Sequence, residues 1–250
     1  MNFELLTQRL TYLQLPFTRE NYAAFAQDAA AKHWDHLQYL DSLTQGEFDQ
    51  RHQRVIQRRI KEARFPVLKT LEQFRWDWPK KINRLAVQNL FRLGFLKEKA
   101  NIIFLGTVGL GKTHLATALG YAACLEGHSV LFANAINVIN ELSAAQKHGG
   151  LKVQFKKYLA PTLLILDEVG YLPIDQNGAD LLFQTISQRY ERGSIILTTN
   201  KAFKQWPSIF NNDSTITSAV LDRLLHHAET IVIEGNSFRM KDQLEQTPAA

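Results

Sequence analysis

The amino-acid sequence predicts an α/β protein with a parallel five-stranded sheet, preceded by a smaller region that is helical throughout. From residue 101 onward, five short apolar runs alternate with segments of helical character. Polar and apolar residues do not alternate within these runs, as expected for strands covered on both faces. Upstream of residue 99, apolar residues recur instead at the three- and four-residue steps of amphipathic helices.

The helical region begins with Phe3, Leu6 and Leu10, whose spacing predicts an amphipathic first helix. Thr18 belongs to the residue types that cap helices, so we place the start of the second helix there. Pro66 ends the third helix, because proline disfavours helical backbone at the residue before it. The four predicted helices cover residues 3–15, 18–34, 44–65 and 82–96.

The second region carries the predicted strands and the helices that connect them. The predicted strands are residues 101–106, 129–134, 162–168, 194–200 and 230–235. The connecting helices are predicted at about 112–126, as a pair ending near 158, at 178–191, and through the stretch SAVLDRLLHH. A chain of 250 residues can form two unequal domains. We predict a helical domain at residues 1–70, a linker with one helix at 71–98, and the sheet domain at 99–250.

The composition excludes several classes of protein. Cys124 is the single cysteine, so an internal disulfide is impossible and a buried thiol in a reducing compartment is expected. No apolar run reaches the roughly 18 residues that a membrane span needs. The N-terminal stretch MNFELLTQRL mixes charged and apolar residues, unlike a signal peptide. We therefore expect a cytoplasmic protein that does not associate with membranes.

A glycine-rich loop follows the first predicted strand and precedes a helix. Its sequence, GTVGLGKT, matches the phosphate-binding pattern G-x-x-x-x-G-K-[ST]. Backbone N–H groups of such a loop, together with the helix N-terminus, bind phosphate oxygens. We expect Lys112 to reach the β- and γ-phosphates and Thr113 to bind Mg²⁺. The predicted nucleotide-binding residues are Gly106, Thr107, Val108, Gly109, Leu110, Gly111, Lys112, Thr113 and His114.

Polar residues end two further strands. Asp167 and Glu168 close the apolar run LLILDE, where two carboxylates are costly unless they hold a cation or polarise water. We assign Asp167 to the Mg²⁺ site and Glu168 to activation of the attacking water. Asn200 ends the next strand and could contact the γ-phosphate or the water, with Thr198 and Thr199 as alternatives.

Two arginines further along the chain fit the charge of a transferring phosphoryl group. Arg223 lies on the last predicted helix, and Arg239 follows the last strand. Arginine stabilises such charge either within one subunit or from a neighbouring one. A surface salt bridge is the alternative role for each. His226 and His227 have no cysteine or carboxylate at a spacing typical of metal sites, so we interpret them as surface or core residues.

The positive charge is concentrated in one stretch. Residues 51–84 contain eleven lysine and arginine residues against three acidic ones, whereas the whole chain carries a net charge of only +5. A row of these bases follows one face of the third helix and could bind DNA phosphates, although a solvated helix face is the alternative. The row consists of Arg51, Arg54, Arg58, Lys61 and Arg64, with Arg59 beside it. Trp76 and Trp78 could stack on bases, but packing between the two domains is the interpretation we favour.

Four stretches of the sequence together follow the pattern of a known family in order and spacing: LGTVGLGKTHLATALGYAAC, LLILDEVGYLPID, QRYERGSIILTTNKAFKQW and SAVLDRLLHHAETIVIEGNSFR. On these stretches the chain resembles the IstB-type ATPases, helper proteins of bacterial insertion sequences, and more distantly the DnaC-type helicase loaders. The resemblance covers roughly residues 70–240. One departure is Thr107–Val108, where many relatives have two prolines; the backbone contacts to phosphate should be unaffected.

This resemblance implies an AAA+ ATPase that binds ATP and Mg²⁺. It implies homo-oligomers with ATP bridging the subunits, assembly on double-stranded DNA, and an IstA-type transposase as partner. Arg223 matches the arginine finger that acts on a neighbouring subunit, Arg239 the sensor-2 arginine and Asn200 sensor-1. Because fifteen residues follow the last predicted strand, we expect no helical lid domain after it.

Four other functions are weighed against this one. A DnaC- or DnaI-type helicase loader would use the same ATPase on single-stranded DNA. A GTPase would need an aspartate where Phe203 stands in the N-K-x-D pattern, and a small-molecule kinase would need an arginine-rich lid insertion. A DNA-bending protein with an inactive ATP site is disfavoured by the intact Lys112, Asp167 and Glu168.

Overall fold

A computed structural model describes residues 3–240 of the chain. It divides into two compact units, Met1–Arg58 and Arg59–Ala250. The boundary lies earlier than the residue 70 that we predicted, since Ala63, Phe65 and Leu71 pack into the core of the second unit.

The first unit is helical, as predicted. It contains α1 (Phe3–Tyr12), α2 (Pro16–Lys32) and most of α3 (His36–Ala63). The prediction that Thr18 caps α2 is wrong, because α2 begins at Pro16, and the Thr18 N–H donates to the buried carboxylate of Glu47 (3.1 Å). Proline suits the first turn of a helix, where its missing N–H would have no intrahelical partner.

The long helix α3 begins eight residues earlier than predicted. A capping box starts it, since the Gln38 N–H donates to Asp35 Oδ1 (2.7 Å) while the Asp35 N–H donates to Gln38 Oε1 (3.0 Å). The helix ends just before Arg64, which has a left-handed φ of 58°. The fourth predicted helix is two short ones, α4 (Arg84–Leu90) and α5 (Gly94–Lys97), separated where Leu93 adopts a left-handed φ.

The second unit contains the predicted parallel sheet with the strand order β2-β3-β4-β1-β5. The strands are β1 (Asn101–Gly106), β2 (Val130–Asn134), β3 (Leu163–Val169), β4 (Ser194–Thr199) and β5 (Ala228–Ile233). The helices are α6 (Lys112–Leu125), α7 (Ala135–Lys147), α8 (Leu151–Leu159), α9 (Gln176–Arg189) and α10 (Ser214–Leu225). All four strand pairings are parallel, so the strands end at one common edge.

Helices cover both faces of the sheet and form two hydrophobic cores. One core joins α6 to Phe104 and Ile165, and the other joins the α7–α10 side to Leu164 and Leu166. The strand β5 departs from the expected pattern, because Glu229 and Val232 are exposed. This edge strand pairs only with β1, which leaves part of it open to water.

The strand order determines where a ligand can bind. The chain leaves β1, which lies between β4 and β5, and crosses through α6 to β2 at the far edge. Where the connections from two adjacent strands leave in opposite directions, their loops separate and leave a crevice at the carboxyl ends of the strands. The ends of β1, β3 and β4, which carry the predicted site residues, therefore lie side by side.

Residues after β5 return to the sheet unit instead of forming another domain within the described range. Glu234 pairs with Lys81 in an antiparallel bridge, with both N–H···O distances at 3.0 Å. Up to residue 240, only a short 3₁₀ turn, Phe238–Met240, follows. Among residues 3–240, no helix is both long enough and apolar enough to cross a membrane.

Candidate nucleotide-binding site

A cavity of about 550 Å³ opens at the carboxyl edge of the sheet. The glycine-rich loop forms its floor, and the ends of β3 and β4 form one wall. Residues 66–79 and the segment 238–239 close the remaining sides. The structure thus brings most of the sequence-predicted site residues to one place.

The loop has the backbone conformation that its glycines allow. Gly109 and Gly111 have φ values of 79° and 85°, in the left-handed region that glycine adopts without strain. A Cβ on Gly106 would lie 2.3 Å from the Ile233 carbonyl oxygen, so β5 approaches closely here. Gly111 caps α6, whose first N–H groups open toward the cavity.

Lys112 is the first residue of α6 and lines the cavity. Its Nζ donates to the Thr107 carbonyl (2.7 Å), so the side chain lies along the loop. Burial lowers the pKa of Lys112, while the charges of Asp167 and Glu168 oppose that change. The ammonium group has lost part of its hydration, so an anion bound beside it would stabilise its charge.

A buried carboxylate connects the loop to the two central strands. Asp167, only 6% exposed, accepts from Thr113 Oγ1 (2.9 Å) and from Thr198 Oγ1 (2.6 Å). Burial raises the pKa of Asp167, and the two hydroxyl donors act in the opposite direction. The Thr113 hydroxyl and the Asp167 carboxylate are oxygen donors of the type that Mg²⁺ prefers.

Glu168 lies in a different environment from its neighbour. It is exposed, has a left-handed φ of 61°, and its N–H donates to Thr198 Oγ1 (2.9 Å). Its Oε2 accepts from Asn134 Nδ2 (2.8 Å) at the end of β2. Asn134 also caps α7, because its Oδ1 accepts from the Ile136 N–H (3.0 Å).

Asn134 is a site residue that the sequence analysis missed. An asparagine between an apolar run and a helix is explained by capping alone. Its second role depends on β2 lying beside β3, which the strand order supplies and the sequence does not.

Of the three polar residues at the end of β4, Asn200 has an unused group that can serve a ligand. The Thr198 hydroxyl donates a hydrogen bond to Asp167, and Thr199 Oγ1 accepts one from the Lys201 N–H (3.1 Å). Asn200 lines the cavity, and its Oδ1 is buried without a hydrogen-bond partner among the described residues. A buried acceptor of this kind is costly unless something bonds to it.

The segment after β5 places Arg239 at the same cavity. The Phe238 N–H donates to the Gly109 carbonyl (2.9 Å), and a Cβ on Gly109 would lie 2.1 Å from Ser237 Oγ. The charge of Arg239 contributes, after burial, to the lowered pKa of Lys112. Lys112 and Arg239 are far apart in the sequence, yet both line the cavity and supply it with positive charge.

Aromatic residues form another part of the cavity wall, and Phe74 is one that the sequence analysis did not assign. Phe74 packs edge-on against His114, with ring centroids 5.4 Å apart, and His114 Nε2 lies 2.8 Å from the Thr70 carbonyl. Trp76 and Trp78, which we predicted to pack between the two domains, both have contacts within the second unit. Trp76 contacts Phe74 at 4.9 Å, and the Trp78 Nε1–H donates to a carbonyl of the segment after β5.

Arg223 lies outside the cavity. It borders a small hollow with Asn101, the first residue of β1, at the edge of the sheet opposite the glycine-rich loop. Its Nη1 donates to the Ala219 carbonyl (2.8 Å), and its guanidinium lies 5.1 Å from the Phe183 ring centroid. Arg223 is therefore not brought to the nucleotide cavity of its own chain.

The predicted basic row is only partly available to a ligand. Arg51 pairs with Glu47 and also donates to the Gln14 carbonyl, so it has a structural role in the first unit. Arg59 is half-buried, and its Nε has no hydrogen-bond partner among the described residues. The exposed members are Arg51, Arg54, Arg58, Lys61 and Arg64.

Comparison with known proteins gives matches along nearly the whole chain. The model of the family described as IstB-like ATP binding protein matches residues 8–246. An ATP-binding protein of insertion sequence IS21 from Pseudomonas aeruginosa is 41% identical over 96% of this chain and 89% of its own length. The corresponding protein of IS5376 from Geobacillus stearothermophilus is 37% identical over 92% of each chain.

Solved structures confirm the AAA+ fold. AMPPCP-bound DnaA from Aquifex aeolicus matches with a TM-score of 0.55 and 26% identity, over 73% of this chain and 56% of its own. The DnaC helicase loader matches with a TM-score of 0.54 and 21% identity, over 66% of this chain and 96% of its own. At the latter identity the similarity is one of fold.

The loop geometry can be tested by adding one methyl group. Gly109→Ala should lose about 1 kcal/mol of stability from left-handed strain, and it should also bind an ATP analogue much more weakly because the new Cβ displaces Ser237. Gly127→Ala is the matched control, since its φ of 81° imposes the same strain but nothing lies within 4 Å of the added Cβ. Thermal unfolding and fluorescent-nucleotide titration measure the two effects. Equal nucleotide affinity in both variants would contradict the assigned loop.

Proposed function

We propose that this chain, which belongs to the family of IstB-like ATP-binding proteins, hydrolyses ATP, assembles on double-stranded DNA and stimulates a partner transposase. The observation that carries the proposal is the cluster of Thr113, Asp167 and Thr198 beside Lys112 and Glu168 at one cavity. This cluster supplies a phosphate loop, a site for a hard cation and a carboxylate that can accept a proton.

The cavity suits a nucleoside triphosphate. Lys112 and Arg239 supply positive charge, and the N-terminus of α6 directs N–H groups into the same space. The aromatic wall at Phe74 and Trp78 provides the apolar surface that a base requires. Thr113 and Asp167 would hold Mg²⁺, which neutralises phosphate charge when bound.

Hydrolysis requires a water to be positioned and deprotonated. We assign proton acceptance to Glu168, whose carboxylate is exposed at the cavity, while the unused Asn200 Oδ1 orients the water. As the water oxygen attacks the γ-phosphorus, its proton passes to Glu168. The bond to the β–γ bridging oxygen then breaks and leaves ADP and phosphate.

The position of Arg223 supports a reaction shared between subunits. Arg223 does not line the cavity of its own chain, yet it is half-exposed beside the amino end of β1. An arginine in that position can stabilise phosphoryl charge only in another copy of the chain. We therefore propose homo-oligomers in which ATP bridges adjacent subunits through Arg223.

Double-stranded DNA is the proposed substrate of the assembly. The exposed bases of α3 recur along one helix face, and Arg54 Nη2 donates to the neutral Gln50 Oε1 (2.8 Å). Such a row neutralises phosphates and releases counterions without reading sequence. The insertion-sequence names of the relatives support a transposase as the partner protein that assembly recruits.

Two substitutions separate binding from hydrolysis. Lys112→Ala should lose ATP binding and all ATP-dependent assembly, because it removes the charge that pairs with the phosphates. Glu168→Gln should bind ATP normally and hydrolyse it at least about a hundredfold more slowly, giving longer-lived DNA complexes. Nucleotide titration, phosphate release and sedimentation with DNA measure these effects. Unchanged turnover in Glu168→Gln would remove Glu168 from the mechanism.

The contact between Asn134 and Glu168 gives a separate prediction. Asn134→Ser keeps an oxygen that caps α7 but removes the amide that holds the Glu168 carboxylate. We expect basal ATP hydrolysis to rise severalfold, because the freed Glu168 carboxylate can turn to the attacking water. Phosphate release measures this rate. The double variant with Glu168→Gln should lose that gain. A rate that stays at the wild-type value would show that the contact does not restrain Glu168.

Charge reversal tests the basic row. Changing Arg54, Arg58 and Lys61 to glutamate should weaken DNA binding and reduce the slope of log affinity against log salt by roughly 3. The control variant makes the same change in net charge at three exposed lysines of α7 and α8: Lys147, Lys152 and Lys156. Fluorescence anisotropy at several salt concentrations compares the two. Equal losses would mean that net charge, and not this helix face, attracts the DNA.

A further inference from the structure

Two histidines and a glutamate meet on the surface of the sheet unit, away from the nucleotide cavity. Glu191 follows the end of α9, while His226 and His227 follow the end of α10. One ligand atom from each of the three side chains lies within 4.8 Å of the other two. Glu191 and His226 are 35 positions apart in the sequence, so the packing of α9 against α10 creates this cluster.

The backbone of each member is fixed before any ligand arrives. Glu191 has a left-handed φ of 57° in the turn where the Arg192 and Gly193 N–H groups both donate to the Arg189 carbonyl. The His227 carbonyl accepts from the Asn101 N–H (2.7 Å), which attaches it to the start of β1. The three side chains therefore need only rotamer adjustments to converge.

The ring of His226 is oriented by a second residue. Tyr190 Oη lies 2.7 Å from His226 Nδ1. In the tautomer whose Nδ1–H donates to Tyr190, Nε2 carries the lone pair that can bind a metal. Metal-binding histidines almost always donate their other ring N–H to such a partner, which fixes the tautomer and the ring orientation.

The arginine near the end of α10 is engaged outside the cluster. Arg223 lies one turn before His226 on α10, but its guanidinium donates to the Ala219 carbonyl and lies over the Phe183 ring. Two imidazoles and one carboxylate form a donor set that suits Zn²⁺ and, less tightly, Co²⁺. Mg²⁺ prefers oxygen ligands only, so this cluster and the nucleotide site select different metals.

We propose that Glu191, His226 and His227 form a binding site for Zn²⁺, with Tyr190 as the residue that positions His226. Three protein ligands leave the fourth tetrahedral position open to water. Ligand atoms that lie about 2.1 Å from a tetrahedral Zn²⁺ are roughly 3.4 Å from one another. The three side chains, whose ligand atoms now lie within 4.8 Å of one another, must therefore move slightly closer together. The site does not depend on the proposed ATPase function.

The test is a Zn²⁺ titration of the untagged full chain without nucleotide, in competition with a chromogenic chelator. We expect each chain to bind one Zn²⁺ tightly, and excess Mg²⁺ not to displace it. When Co²⁺ replaces Zn²⁺, we expect the intense visible absorption that tetrahedral coordination gives. Cys124 does not compete, because it is buried and burial raises its thiol pKa to about 11. A wild-type chain that binds no Zn²⁺ equivalent would overturn the proposal.

Variants assign the ligands. The double variant His226→Ala/His227→Ala should lose the tight equivalent, and Tyr190→Phe should weaken it about tenfold. The control is His148→Ala, which removes an exposed histidine at the end of α7 and should change nothing. Circular dichroism confirms that each variant is folded, as expected since the histidines are exposed and Tyr190 is not buried. Retention of the equivalent by the double variant, or its loss in the control, would place the metal elsewhere.

Discussion

The site depends on one buried carboxylate, because Asp167 connects the phosphate loop to the centre of the sheet. A charge that is 6% exposed at a strand end is costly unless hydrogen bonds compensate for its lost hydration. Thr113, on the helix that follows the loop, and Thr198, on the neighbouring strand β4, supply those bonds. The same two bonds fix the position of the loop relative to β3 and β4, so folding the sheet also assembles the site.

The adjacent carboxylate has the opposite surroundings, although the two residues are consecutive. The pairing of β3 with β4 shifts register around Glu168, which has a left-handed φ and an exposed side chain at the cavity. Asn134 is its partner there, and that amide is neutral. One carboxylate is therefore buried and held by two hydroxyls, while the other remains exposed beside a single amide. This difference is what allows one to hold a cation and the other to accept a proton under the proposed function.

The sequence predicted the sheet and the phosphate loop because both depend on local constraints. Strands buried on both faces require continuous apolar runs, and a loop with two left-handed residues requires glycines such as Gly109 and Gly111. Contacts that depend on which elements become neighbours could not be predicted in this way. Asn134 meets Glu168 only because β2 lies beside β3, and Glu191 meets His226 only because α9 packs on α10. The aromatic contacts of Phe74 and Trp78 follow from the path of an irregular segment, for which no periodicity exists to detect.

The two ends of the sheet carry different parts of the proposed reaction. The carboxyl ends of β1, β3 and β4 hold the groups that would bind and cleave ATP, whereas Arg223 lies beside the amino end of β1. A single chain cannot bring these two ends together, since its own central strands separate them. If Arg223 stabilises the phosphoryl group, a second chain must supply it, and hydrolysis then requires assembly. Under the proposed function, nucleotide occupancy and subunit contact are therefore a single event, and DNA that aligns the chains through α3 would favour both.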